Sequence, residues 1–134
     1  MKYAFDTNTV IHLMRGTESV HNARDIAVGD GKEFFIPPFV NYEILRGLAI
    51  KPMPSHVEAY DIICDNCEIG EMTVAVWQCA AKIYAQLYEK RFTVRDSDIL
   101  IAAFCIVHGH TLVTNNIKDF ENIDGLTFED WVEV

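Results

Sequence analysis

The chain has little glycine and proline and no long apolar run. Only seven glycines and four prolines occur among its 134 residues, half of which are hydrophobic, so the composition suits one compact domain with a substantial core. No stretch reaches about 18 consecutive apolar residues, and no basic segment followed by an uninterrupted apolar run opens the sequence. We therefore expect a single domain over residues 1–134, without a signal peptide or membrane span, in a cytoplasmic protein.

Positive charge is also scarce. Eleven Lys and Arg residues stand against twenty Asp and Glu residues, giving a net charge of -9. This balance excludes broad electrostatic binding of nucleic acid, whose phosphates such a chain repels at long range. A polyanionic substrate would need a local basic rim, or divalent cations that turn carboxylates into an anion site. The candidates for that rim are Arg15, Arg46, Lys90, Arg91 and Arg95.

Cysteine occurs at only four positions, which are Cys64, Cys67, Cys79 and Cys105. The first two form a C-x-x-C motif, but a zinc site needs a second ligand pair, for which His108 and His110 are the only candidates. A thiol-redox role would need the motif at a helix start, and the helical pattern that precedes it argues against this. We interpret all four as reduced thiols and expect Cys79 and Cys105 to be small core residues.

Short apolar runs alternate with longer helical patterns. Strands are predicted at residues 2–5, 34–37, 67–71, 110–114 and 126–130. Helices are predicted at residues 9–15, 18–28, 38–50 and 55–63, then from Thr73, and from Asp96 or Ser97 to a stop at Gly109. Strands that alternate with helices imply crossover connections. The fold class is therefore α/β, with a parallel sheet of about five strands flanked by helices in three layers.

The longest predicted helix follows Thr73, which is placed to cap it. Its apolar residues recur at steps of three and four, which is typical of a buried helix face. We expect this whole set in the core, without a functional role: Val76, Trp77, Ala80, Ile83, Tyr84 and Leu87.

Oxygen-bearing side chains occur where the predicted strands end. Asp6 follows the first strand, and Thr114 to Asn116 follow the fourth. Ligands of a doubly wound sheet bind outside the carboxyl ends of its strands. The helix that carries Glu43 and the helix that carries Asp96 and Asp98 begin at the same edge, because each follows a strand or leads down to the next one. The cluster therefore comprises Asp6, Glu43 and either Asp96 or Asp98, with Asp119 nearby. Four distant segments therefore meet at one rim.

This rim is acidic and rich in oxygen ligands. Packed carboxylates raise one another's pKa unless a cation neutralises them, and Mg²⁺ or Mn²⁺ prefers such ligands. Two such ions about 3.5 to 4 Å apart can activate water and stabilise a leaving oxygen, so the pattern indicates phosphodiester chemistry. Each acid alone has a structural interpretation as well: Asp6 and Asp96 as helix caps, Asp98 as a first-turn acid and Glu43 as a surface charge. The prediction rests on their convergence.

Five segments together resemble the PIN domain family, in the short form of VapC toxins of type II toxin–antitoxin systems. They are "FDTNTVI", "NYEILRG", "DSDILIAA", "LVTNNIKDF" and "LTFEDW", and they run in order from Lys2 to Trp131. The resemblance implies a Mg²⁺-dependent endoribonuclease, with Mn²⁺ as a possible substitute. It also implies cleavage of transfer RNA in the anticodon region, a homodimer, and inhibition by a VapB-like antitoxin.

The resemblance assigns roles to particular residues. Asp6, Glu43 and Asp98 match the catalytic acids, which also hold metal. Asn116 stands where the family often has a fourth acid, which weakens the case for a second metal unless Asp119 compensates. The supporting residues are Thr7, Asn8, Asp96, Thr114, Asn115 and Asp119. The predicted RNA-binding residues are Arg15, Arg46 and Arg95.

Other classes fit less well. A response-regulator receiver needs adjacent acids after the first strand and a lysine after the last. A haloacid-dehalogenase-like phosphatase needs a second aspartate where Asn8 stands. A non-catalytic PIN-like interaction module that keeps the acids is the remaining alternative, and metal-dependent RNA cleavage would separate it from a nuclease.

Overall fold

A computed structural model describes residues 1–132. Its strands are β1 (Lys2–Phe5), β2 (Glu33–Ile36), β3 (Glu68–Ile69), β4 (Thr111–Val113) and β5 (Phe128–Glu129). Its helices are α1 (Thr7–Arg15), α2 (Glu18–Gly29), α3 (Pro38–Ile50), α4 (Pro54–Asp65), α5 (Val74–Lys90), α6 (Asp96–His108) and α7 (Ile117–Phe120). None of the helices in this part of the chain is long and apolar enough to cross a membrane.

The strands form one parallel sheet in the order β3-β2-β1-β4-β5. The chain leaves β1 in one direction to build β2 and β3, then returns to build β4 and β5 on the other side. Strand order therefore reverses between β1 and β4, which is where α/β sheets bind ligands. The predicted α/β class, with about five parallel strands flanked by helices, is confirmed.

The core surrounds the central strands and α6. Ala4, Phe5, Leu112 and Val113 are almost fully buried, because β1 and β4 have neighbours on both sides and helices over them. Helix α6 is apolar around most of its circumference, since it packs against α5, α3 and β4. A rigid support therefore lies directly beneath the carboxyl edge of the central strands.

Two predicted helix starts differ from the structure. Helix α1 begins at Thr7 rather than residue 9, because Asp6 has extended backbone angles and serves as its N-cap. Helix α4 begins at Pro54, so Ser55 lies inside its first turn and is not the cap. Proline is favoured there because its ring presets the helical φ and the missing N–H needs no partner. The short helix α7 was not predicted.

The expectation that the whole stripe on α5 is buried was wrong for two residues. Val76, Ala80, Ile83 and Leu87 are buried, but Trp77 is 55% exposed and Tyr84 is 56% exposed. Trp77 and Tyr84 each follow a buried residue by one position, which rotates them about 100° around the axis. They belong to a neighbouring, solvent-facing stripe.

The four cysteines are free thiols, and Cys105 is fully buried as predicted. The C-x-x-C motif ends α4 rather than opening a helix. Burial raises the pKa of Cys67 to about 12 and also raises that of Cys64, so both thiols stay protonated. A redox role for this motif is not supported.

Candidate active site

Asp6 lies at the carboxyl end of β1 and is almost fully buried. Its backbone N–H donates to the Val113 carbonyl of β4, which fixes the residue beside the point where strand order reverses. One carboxylate oxygen, Oδ1, accepts from the Thr9 backbone N–H at 2.8 Å. The other, Oδ2, accepts from the Thr114 hydroxyl at 2.5 Å. Asp6 is thus a helix cap and an oriented carboxylate at once.

Glu43 reaches the same edge from the second turn of α3. Its Oε1 accepts from the Thr7 hydroxyl at 2.6 Å, which connects α3 to the first turn of α1. Its Oε2 pairs with Arg46 Nη2 at 3.5 Å, one helical turn further along α3. The carboxylate is therefore held between a hydroxyl and a guanidinium.

Asp98 is buried in the first turn of α6. Its Oδ2 accepts from Nε and Nη2 of Arg95, each at 3.3 Å, while the Arg95 side chain is 73% exposed. Asp98 therefore points toward the sheet edge with a solvent-facing arginine beside it. The arrangement repeats that of Glu43 and Arg46, an acid and an arginine three residues apart.

The loop after β4 completes the edge. Thr114 is fully buried, and its hydroxyl both donates to Asp6 and accepts from the Asn116 backbone N–H at 3.0 Å. This double contact places Asn116 against the cleft, while Asn115 is exposed. Asp119, in α7, is near enough for its charge to raise the pKa of Asp98.

These groups line one cleft of about 200 Å³. Its lining residues are Asp6, Thr7, Asn8, Glu43, Arg95, Asp98, Ile101 and Asn116. Six predicted site residues lie outside this set, namely Arg15, Arg46, Asp96, Thr114, Asn115 and Asp119. Arg15 ends α1, about 12 Å down the helix from its start, and Asp96 is exposed at the first position of α6.

Burial raises the pKa of both buried aspartates above the usual carboxyl range. For Asp6, the hydrogen bonds from Thr114 and Thr9 oppose this effect and keep the rise smaller. For Asp98, Arg95 opposes the rise, while the charges of Asp119 and Glu43 add to it. Burial makes the charged form of each aspartate unfavourable in free energy, and a cation between the two carboxylates would offset much of this penalty.

The oxygen ligands suit a hard divalent cation, but the acids have not converged. Within residues 1–132, no three His, Cys, Asp or Glu side chains are placed to hold a metal ion together. Two of the acids are instead paired with arginines, Glu43 with Arg46 and Asp98 with Arg95. The carboxylate and amide oxygens in the cleft fit Mg²⁺ or Mn²⁺ chemically.

Sequence reasoning missed Thr9 as part of the site. Its backbone N–H holds Asp6, and its buried hydroxyl donates to the Val113 carbonyl at 2.8 Å, tying α1 to β4. The signal was present in the spacing, since an aspartate cap usually accepts from the residue two or three positions later. Ile101 also lines the cleft, and nothing in the sequence except its hydrophobicity distinguishes it.

The chain belongs to the PIN domain family, which matches residues 3–126. Within that family it is similar to ribonuclease VapC1 of Rickettsia felis, with 50% identity over 94% of this chain and 93% of that one. It is also 25% identical to the tRNA(fMet)-specific endonuclease VapC of Shigella flexneri, over 98% of each chain. The resemblance found in the sequence is confirmed.

A solved structure agrees with the fold. The crystal structure of VapBC2 from Rickettsia felis bound to a DNA fragment from their promoter contains a chain with a TM-score of 0.90 and 26% identity. The match covers 98% of this chain and 99% of that one, so no large element of either chain is left unmatched.

Proposed function

We propose that this chain is a divalent-metal-dependent endoribonuclease toxin that hydrolyses RNA phosphodiester bonds and is inhibited by a VapB-like antitoxin. The observation that carries the proposal is that the carboxylates of Asp6, Glu43 and Asp98 line one cleft together with the amide of Asn116. The ribonuclease names of similar chains support the same reaction class. Mg²⁺ is the proposed ion, with Mn²⁺ as a substitute.

In this proposal Asp6, Glu43 and Asp98 bind the ion, and Asn116 is a further oxygen ligand. A divalent cation, when bound, supplies positive charge at the attacked phosphate and the leaving oxygen. Thr114 and Thr9 fix the orientation of Asp6, and Thr7 fixes that of Glu43. Arg46 and Arg95 exchange their carboxylate partners for RNA phosphates, because both guanidinium groups are solvent-accessible at the mouth of the cleft.

The proposed substrate is transfer RNA cut in the anticodon region, and the proposed location is the cytoplasm. The endonuclease name of the Shigella flexneri relative supports this choice of RNA. Because the chain carries a net charge of -9, we expect binding to depend on the few arginines near the cleft. The proposed contact of Arg15 with RNA lies beyond the cleft, at the end of α1.

The antitoxin proposal rests on two surfaces. A groove of about 510 Å³ lies between α1, α2, α4 and the sheet, lined mostly by apolar residues, among them the exposed Val28 and Ile62, and also by Arg24, Asp25 and Lys32. We propose that the C-terminal segment of the antitoxin folds into this groove. An antitoxin Arg or Lys then enters the acidic cleft, which already binds the guanidinium of Arg95. Neutralising that antitoxin residue should restore cleavage more than it weakens the complex.

The homodimer proposal rests on α5. Val74, Trp77, Tyr84 and Tyr88 form one exposed stripe along this helix, and Tyr84 stacks on Tyr88 with ring centroids 6.4 Å apart. Steps of three, seven and four residues keep these side chains on one face. Aromatic side chains are enriched at protein interfaces, so we propose that this stripe is the dimer contact.

The test is to incubate the purified protein with total RNA and Mg²⁺ or Mn²⁺, and to map new RNA ends. The proposal predicts new ends concentrated in the anticodon loops of a few transfer RNAs. Ends spread over all RNAs would retain the nuclease and reject the transfer RNA. The absence of new ends under every metal condition would favour the non-catalytic interaction module.

A further inference from the structure

One side of α3 carries two aromatic residues and one basic residue beside the cleft. They are Phe39, Tyr42 and Arg46. Tyr42 is 54% exposed. The Phe39 ring meets it edge-on, with centroids 5.7 Å apart and planes at 60°. Phe39 itself packs against the core, so the orientation of the Tyr42 ring is fixed from below.

Arg46 connects this ring to the acidic cleft. Its Cζ atom lies 5.2 Å from the Tyr42 ring centroid, while its Nη2 atom lies 3.5 Å from Glu43 Oε2. One guanidinium bond of about 1.3 Å joins these contacts, so the ring lies within about 10 Å of the Glu43 carboxylate. An RNA strand with its scissile phosphate in the cleft passes this ring within a few nucleotides.

We propose that Tyr42 is a stacking platform for an unpaired nucleobase of the RNA substrate, next to the cut. The inference rests on the proposed nuclease function and adds a substrate requirement to it, namely single-stranded nucleotides beside the scissile bond. Proteins read unpaired RNA by stacking its bases on aromatic rings and guanidinium planes. A base in a duplex has both faces covered by its neighbours and is not available.

The guanidinium of Arg46 occupies the place that the base would take. A cation over a tyrosine face gains electrostatic stabilisation, but this contact is half-exposed and therefore weak. When Arg46 turns to a phosphate, it uncovers the ring for the adjoining base. One side chain thus couples the phosphate contact to the base contact.

The experiment measures RNA affinity in the Asp6→Asn background, where binding can be followed without cleavage. The probe is a labelled single-stranded oligoribonucleotide of about twelve nucleotides, and the same sequence annealed into a duplex is the second probe. Tyr42→Ala should weaken single-strand binding about tenfold and leave duplex binding unchanged. Tyr42→Trp should retain single-strand affinity, because the indole also offers a stacking face.

Salt dependence separates stacking from charge. Tyr42→Ala should leave the slope of log affinity against log salt unchanged, whereas Arg46→Ala should reduce it by about 0.7. Leu45→Ala is the matched control, since it removes an exposed apolar side chain from the same helix. Its affinity for both probes should equal that of the parent.

Several outcomes would overturn the inference. Tyr42→Ala that binds single-stranded RNA like the Leu45→Ala control removes Tyr42 from RNA recognition. Loss of affinity accompanied by a fall in mass by light scattering would make Tyr42 a contact between protomers instead. If wild type cleaves RNA but Tyr42→Ala binds and cleaves equally well, the stacking inference fails and the nuclease proposal stands. If wild type cleaves no RNA while Tyr42 still governs single-strand binding, the nuclease proposal fails and the platform stands.

Discussion

Asp6 combines two roles whose requirements conflict. As the N-cap of α1 it must accept from a backbone N–H, and as a proposed metal ligand it must stay charged in a buried position. The Thr114 hydroxyl reduces the conflict, because it stabilises the anion and leaves the carboxylate facing the cleft. The same hydroxyl fixes Asn116. The residues that follow β1 and β4 thus hold the Asp6 carboxylate in place through its Oδ2 atom.

Replacing Asp6 with Asn should separate activity from stability. Asn keeps the shape and the cap, so the fold should persist while cleavage falls by orders of magnitude. Burial raises the pKa of Asp6 in the folded state, so the native protein holds more protons than the unfolded chain just above the usual carboxyl pKa. The free energy of unfolding of wild type therefore falls as pH rises through the range just above the usual carboxyl pKa. Asp6→Asn has no titrating group here and lacks this pH dependence.

Urea unfolding of both proteins from about pH 4 to about pH 7 checks this sign. The stability of Asp6→Asn relative to wild type should increase across that range and then level off. A relative stability that declines with pH would show that Asp6 is stabilised as an anion in the folded state, contrary to this account.

The Thr114 hydroxyl gives a second prediction. Thr114→Val keeps the volume but leaves the Asp6 carboxylate short of a buried donor, so unfolding should become easier by roughly 1–3 kcal/mol. Cleavage should also decline, since the pKa of Asp6 rises further without this hydrogen bond. Thr114→Ser is the control that keeps the hydroxyl, and it should retain most of the activity. If Thr114→Val unfolds and cleaves like wild type while Thr114→Ser loses stability or activity, the methyl group and not the hydrogen bond is what matters.

The acids Glu43 of α3 and Asp98 of α6 are held at the cleft by the same kind of ion pair. In α3 and at the start of α6 an arginine lies three residues from an acid, which keeps the carboxylate oriented and the arginine in solvent. The edge strand β3 is held against the rest of the fold by a different kind of contact. Gly70 follows β3 and donates to the Ile36 carbonyl at 2.9 Å, and the Phe104 ring of α6 packs directly over it.

A methyl group at Gly70 has no room. Its carbon would stand 2.2 Å from the Phe104 ring, and that buried ring is also in contact with His108 and His110. Gly70→Ala should therefore destabilise the fold by about 1–3 kcal/mol in urea unfolding. Gly47→Ala in α3 is the control, since nothing lies near the added atom and helix propensity favours alanine by up to about 1 kcal/mol. An unchanged unfolding midpoint for Gly70→Ala would mean that β3 or the ring moves freely.

The parts predictable from sequence were those with a local cause. Hydrophobic runs predicted the strands, and strand ends followed by Asp6 or Thr114 predicted the edge where side chains meet. Exposure of Trp77 and Tyr84 was not predictable, because apolar spacing shows which positions share a face but not how wide the covered face is. The pairing of Glu43 with Thr7 depends on how α3 meets α1, which no single segment encodes.

The whole molecule separates its proposed tasks in space. Its net charge of -9 repels nucleic acid from most of its surface, so we expect RNA to bind where Arg46 and Arg95 lie beside the acids of the cleft. The groove beside α2 and α4 and the stripe on α5 are separate apolar surfaces. The proposed antitoxin contact and the proposed dimer contact therefore do not compete for the same surface.

The α5 stripe gives the prediction for assembly. Trp77→Glu places a charge at the centre of the proposed dimer contact, so light scattering should show a monomer with unchanged helix content. Gln78→Glu adds the same charge at the next, also exposed, position of α5 and should leave the dimer intact. A wild-type protein that is monomeric at every concentration, or a Trp77→Glu dimer, would reject this interface.

The most direct test of the metal-dependent nuclease is the cleavage rate of Asp98→Asn beside wild type, with and without a chelator. Loss of a supporting group commonly costs up to about a hundredfold, so loss of a ligand carboxylate should lower the rate by more than about a hundredfold. Asp61→Asn removes an equal charge from exposed α4 and should cleave like wild type. The account predicts that EDTA stops cleavage by every variant and that Mg²⁺ or Mn²⁺ restores it for wild type. Cleavage by Asp98→Asn at the wild-type rate, or cleavage undiminished in EDTA, would contradict it.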